Sequence, residues 1–288
     1  MSTSLDSALG LSAARSPWLK AVNVLVWALI LLVFAGPLLA LLAGAFSASN
    51  DPTRLSFIPA DPTLENFAVA VDRGVLGYLW NSLVVVGIGL LLQIIVSVFA
   101  AYALARKRFR GSSIVLLAIL ATMMLPEEVL AIPLSLVLSD VPLLHISLID
   151  THWGMIVPIV AWGFSIVVMT EFMKDIPVEL EEAAKLDGAG ELRIFWSVIL
   201  PACTPAIGVI GVFGFTMIWD QYLLPLLVAS DSRMFTLPLA LRSLRADPEL
   251  GIGVLLVGAT LALLPSVIAF LAFQKSFMQG LTSGAVKG

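Results

Sequence analysis

Long apolar runs alternate along the chain with short charged joints. Stretches free of Asp, Glu, Lys and Arg cover Ala21–Asn50, Gly74–Ala105, Gly111–Pro126, Thr151–Thr170, Ile194–Trp219 and Leu250–Gln274. A helix needs about 20 mostly apolar residues to cross a bilayer, where only the helix itself satisfies the backbone polar groups. The third run is short, but it resumes after Glu127 and Glu128 as VLAIPLSLVLS. The pattern predicts six spans, at about 21–46, 80–105, 113–137, 153–173, 202–229 and 252–273. The expected fold is an all-α integral membrane protein with an N-terminal segment over 1–20, a transmembrane domain over 21–273 and a tail over 274–288.

Composition agrees with this. The chain is 59% hydrophobic and 12% charged with a mean hydropathy of +1.02, whereas a soluble domain carries roughly 25% charged residues. A net charge of -4 gives no reason to expect nucleic acid as a partner. The single cysteine, Cys203, rules out an internal disulfide and reads as a small packing residue. Ala43-Gly44-Ala45 resembles a signal-peptidase site. The apolar run before it is about twice the length of a signal h-region, about 7–15 residues, so an uncleaved first helix is expected.

Six spans put both ends on one side, and basic residues choose which. With the N-terminus inside, the inner segments hold 11 of the 16 Lys and Arg residues, and RKRFR after the second span is the strongest single marker. Both termini are therefore expected in the cytoplasm. The joint between spans four and five lies on the same side.

That joint reads FMKDIPVELEEAAKLDGAGELRIFWSVILP. Pro177 suits a first helical turn, and Glu179, Glu181 and Glu182 fall at the positive end of the helix dipole. Asp187-Gly188 signals a turn, with Gly188 free to take a positive φ. A second helix would then carry Leu192, Phe195, Trp196 and Ile199 on or near one face, ending at Pro201. The prediction is a helix–turn–helix elbow. An ordinary solvated helical loop is the alternative, although plain connections are usually short.

The segment EAAKLDGAGELRIFWSVILP resembles the EAA motif of importer permeases of the ABC class: Glu-Ala-Ala, three residues, Gly, nine residues, Ile-x-Leu-Pro. Glu182, Ala183, Ala184, Gly188, Leu200 and Pro201 meet it, and Val198 stands in place of isoleucine. Together with NSLVVVGIG, AAYALARKRFRG and GLTSGAVKG, the chain is similar to MalG-type subunits of carbohydrate importers. The resemblance implies that the elbow is a coupling helix seated on a cytoplasmic ATPase. Glu182 would pair with a basic group there, Ala183 and Ala184 would allow close seating, and Asp187 and Gly188 would shape the turn. It also implies a second permease subunit, two ATPase copies and an extracytoplasmic solute-binding protein. This chain would bind no cofactor of its own, and ATP-Mg would be used by the ATPase.

The chain has no GxxxxGK[ST] loop, HExxH or GxSxG, so neither ATP binding by a P-loop nor a familiar hydrolytic site is expected. No metal site is expected, and His145 and His152 read as loop residues. Glycines at 208, 211 and 214 read as helix packing. The polar groups of the spans are the candidates for substrate contact, since a charge in a membrane is costly. They are Glu127 and Glu128 in span three and Trp219, Asp220, Gln221 and Tyr222 in span five. The two glutamates alternatively mark a broken helix near the surface, and the second group an interfacial aromatic belt. A secondary transporter or channel acting without an ATPase is the competing reading of the whole chain, but it leaves the elbow without a use.

Overall fold

A computed structural model describes residues 17–48, 57–59, 61–247 and 250–285. The described residues are almost wholly helical, with one isolated bridge between Ser47 and Pro62. The elements are α1 (Pro17–Ala45), α2 (Glu65–Asp72), α3 (Val75–Arg106), α4 (Ser112–Thr122), α5 (Glu127–Ser139), α6 (His152–Val160) and α7 (Gly163–Asp175). Then come α8 (Val178–Leu186), α9 (Glu191–Ala202), α10 (Thr204–Trp219), α11 (Leu223–Val228), α12 (Leu237–Arg245) and α13 (Ile252–Ala285). Most of the N-terminal segment expected over 1–20 lies outside the described residues. Four stretches are each long and apolar enough to cross a membrane: Lys20–Ala45, Val75–Arg106, His152–Asp175 and Ile252–Lys275. Two sharply bent pairs, α4 with α5 and α9 with α10, raise the number to as many as six.

Helix α3 is the axis. Its 32 residues make a rod of roughly 48 Å at the usual rise per residue. Helices α6, α7, α10 and α12 pack around it. The buried positions Val85, Val86, Gly89, Leu90, Gln93, Ser97 and Ala101 recur at intervals of three and four on one face, as a helical stripe requires. Three apolar clusters follow one another along this rod. Val75 belongs to one with Leu237 and Val257, Val86 to one with Met155 and Ile218, and Val98 to one with Met173 and Ile199. Small residues bring the helices close: a side chain at Gly211 would run into the Phe273 ring, and one at Gly214 into Gln93.

The spans drawn at 113–137 and 202–229 are not single rods. The first breaks between Thr122 and Glu127, and its halves meet at 105°. Proline supplies the reason, because its ring clashes with the carbonyl four residues back and it has no N–H to give. Four residues before Pro126 is Thr122, where α4 stops. Four before Pro225 is Gln221, inside the gap between α10 and α11. Pro37 and Pro265, by contrast, are carried within continuous helices. The fourth span is also interrupted, at Ala161 and Trp162 between α6 and α7.

Candidate functional site: a cleft and an elbow

The three breaks meet. Thr122, Met123 and Leu125 from the first, Ala161 and Trp162 from the second, and Gln221 with Leu223 from the third line one cleft of about 540 Å³. Backbone that leaves helical geometry at membrane depth is tolerated where it lines a cavity, since its polar groups then find other partners. The walls are mainly apolar, with Phe164 and Trp162 as aromatic surfaces. Glu127, in the first turn of α5, reaches the cleft and accepts from Gln221 Nε2 at 3.5 Å. The helix dipole favours a carboxylate at that position.

The other pathway candidates lie elsewhere. Glu128 is exposed and does not line the cleft. Trp219 is buried in the middle cluster, its ring stacked on Phe215. Asp220 borders a separate cavity of about 230 Å³ with Ser266 and Phe270. Tyr222 lies under the Arg242 guanidinium, 4.8 Å from ring centroid to cation. Trp219 and Asp220 thus share one cavity away from the cleft, Tyr222 faces Arg242, and only Gln221 joins Glu127.

Between α7 and α9 the chain forms the elbow. Pro177 sits just before the first turn of α8 rather than within it, and Gly188 takes φ +77 at the bend. Glu182, Ala183, Asp187 and Gly188 are exposed, while Ala184 is half-buried and packs on the cluster around Phe195. In the returning arm Phe195 and Ile199 face inward, whereas Leu192 and Trp196 are exposed. The single apolar face expected there is therefore divided. The exposed pair and the buried pair each keep a four-residue spacing, so they form two neighbouring rows of the arm, and a π-turn over Phe195–Ile199 precedes Leu200 (half-buried) and Pro201 (exposed). Leu186, at the tip, is 90% exposed.

Some polar groups were not singled out from sequence. Asn81 Nδ2 donates to the carbonyls of Arg233 and Phe235, and its Oδ1 meets His152 Nε2 at 3.1 Å. Ser97 and Ser165 hydroxyls lie 2.7 Å apart in the core. The four-residue spacing of Gly89, Gln93, Ser97 and Ala101 was the available signal for that interior face. Near Asn81, hydrogen bonds and charge from Arg233 hold the Asp231 carboxyl below the usual carboxylate range.

A bundle of apolar helices, broken around one cleft and carrying a helical elbow at one end, defines a membrane permease. The chain belongs to the family of binding-protein-dependent transport system inner membrane components, whose pattern matches residues 93–282. It is 35% identical over 233 residues to a putative ABC transporter permease, ORF2, of a Caldicellulosiruptor species, covering 80% of this chain and 83% of that protein. It is 32% identical over 270 residues to the arabinooligosaccharides transport permease AraQ of Bacillus subtilis, covering 92% of this chain and 94% of that one. Its fold matches a chain in the crystal structure of a bacterial ABC transporter involved in import of the acidic polysaccharide alginate. The TM-score is 0.76 at 21% identity, over 92% of this chain and 98% of the other. The protein is thus a permease subunit of an ABC importer, a non-catalytic partner to an ATPase carried on a separate subunit. A carrier or channel working without an ATPase is not favoured.

Proposed function

We propose that this permease carries a neutral sugar or polyol, handed over by an extracytoplasmic binding protein, through the cleft where the three helix breaks meet. The observation that carries this reading is the cleft's lining: aromatic faces at Trp162 and Phe164 beside the acceptor groups of Glu127 and Gln221. Sugar CH faces stack on aromatic rings and sugar hydroxyls donate to carboxylates. Among the described residues no Lys or Arg lines the cleft, which argues against an anionic cargo held by this chain. The likeness to an arabinooligosaccharide permease supports the same class.

The working assembly in this proposal pairs the chain with a second permease, two ATPase copies that use ATP-Mg, and the binding protein. In this reading six spans keep both termini and the elbow on one side of the membrane, and the excess of Lys and Arg in the segments on that side favours the cytoplasm. The elbow offers Leu186, Leu192 and the Glu182 carboxylate to the ATPase, and closure of the ATPase pair tilts the spans to alternate access to the cleft. Two experiments test these points. Purified binding protein, screened against neutral and anionic saccharides, should retain a neutral ligand; an anionic ligand alone would remove the substrate assignment. Glu182→Lys or Gly188→Pro should abolish uptake with insertion intact, and full uptake with the ATPase still co-purifying would end the coupling assignment.

A further inference from the structure

The glutamates of EEAA are adjacent in sequence and opposite in environment. Glu182 is exposed, while Glu181 is buried against the last turn of α3. There Arg106 Nε lies 3.1 Å from Glu181 Oε1, with the two side chains only 7% and 12% exposed. The pair lies within ion-pair distance but lacks the alignment of a hydrogen bond. The guanidinium is anchored instead through Nη2, which donates to the carbonyl of Ile176 at 2.6 Å. Ile176 closes α7 just before the elbow begins. One side chain therefore ties together the end of the axial helix, the exit of α7 and the first arm of the elbow. The next residue does the same for the second arm: Lys107 pairs with Glu191 and covers the Tyr102 ring, which meets Phe195 edge-on.

We propose that Arg106 is a positioning residue for energy coupling: with Glu181 it forms a strut that makes the elbow a rigid extension of α3. This rests on the elbow being the ATPase seat. A cation at the C-terminus of a helix is already favoured by the dipole, yet here it is turned away from water to a carboxylate and a carbonyl. Buried pairs of this kind are weak sources of net stability, but they fix one arrangement of the groups that they join. Arginine suits the task because its planar guanidinium donates to the Ile176 carbonyl while keeping its charge beside the Glu181 carboxylate, which a lysine ammonium on a flexible stem does not reproduce. A push on the α8 surface then reaches α3 without bending the joint, and α3 carries it past the cleft walls formed by α6, α7 and α10. The basic cluster that marks membrane orientation has a second, mechanical use.

The test uses the full transporter in a Cys203→Ala background, with Arg106→Gln, Glu181→Gln and the double variant. Each single change should lower uptake about tenfold, within the range seen when coupling is altered without touching either ligand. The double variant should be no worse than the worse single, because both remove one strut. Spin labels at Ile95 and Leu186 should give a narrow distance distribution in the parent and a broad one in each variant. Arg106→Lys should stay impaired, and it replaces Arg106→Gln in the cycle if the latter fails to accumulate. Unchanged uptake at normal abundance, effects that multiply, or a distribution that stays narrow would each overturn the strut. ATPase co-purification reads the underlying assumption separately. A Leu186→Glu variant that keeps the ATPase and full uptake removes the docking surface, while the distance measurement still reports on the joint.

Discussion

At the scale of single residues, Asn81 concentrates three contacts from two separate segments. Its amide holds two carbonyls of the 233–235 turn and its oxygen meets His152, while its neighbour Ser82 accepts from the Leu237 N–H. Removing a buried partner strands the groups it satisfied, at about 1–3 kcal/mol each. Asn81→Ala is therefore expected to loosen the segment between α11 and α12, read as faster amide exchange at Phe235 with exchange around Met173 unchanged. In the cleft, Gln221→Ala and Glu127→Gln should raise the uptake KM several-fold, because both remove acceptors from the proposed sugar path. Asp220→Ala should leave KM alone, as its carboxylate borders a different cavity. Matching KM changes in all three would return Asp220 to the path.

Among the elements, two of the three breaks that line the cleft have a proline to explain them. Replacing Pro225 with alanine restores an N–H to bond the Gln221 carbonyl and relieves the ring clash, which costs about 3 kcal/mol inside a helix. The variant should melt at a higher temperature and transport more slowly, and the two measurements on one purified complex check this. A faster transporter would show that the gap is incidental. Sequence made the elements legible to different degrees. Apolar length located the starts of α1, α3 and α13 to within about five residues, because a membrane-crossing helix announces itself by what it lacks. Helix α13, however, continues to Ala285, through most of the stretch expected as a tail. The elbow was legible because Pro177, the acidic first turn and Asp187-Gly188 all agree on one local structure. The 105° bend was not, since Pro126, Pro37 and Pro265 look alike in the chain and only packing decides which one interrupts a helix. The parting of Gln221 and Tyr222 from the cavity shared by Trp219 and Asp220 was invisible for the same reason: residues beside a break do not follow one helical face. The Arg106–Glu181 pair joins positions 75 residues apart in sequence, and a charge count assigned both to the same solvent.

Taken whole, the molecule has two opposite ends joined by α3, with Asn81 and the 233–235 turn at one and Arg106 with the elbow at the other. In the proposed orientation, single cysteines at Ser232 and Leu186 in a Cys203→Ala background should behave differently toward an impermeant reagent in intact cells, after permeabilising any outer membrane. Ser232 should label and Leu186 should not, and the reverse pattern would invert the topology. The two outermost helices also find each other late. Helix α1 has largely exposed sides and packs chiefly on α13, which begins roughly 200 residues further along the chain. At about 5–20 residues per second of synthesis, the first helix waits on the order of tens of seconds before its neighbour exists. Its nearly uninterrupted apolar surface lets it wait in lipid without a partner. A chain halted before α13 would lack the helix on which α1 chiefly packs, and more of the first span would then face lipid.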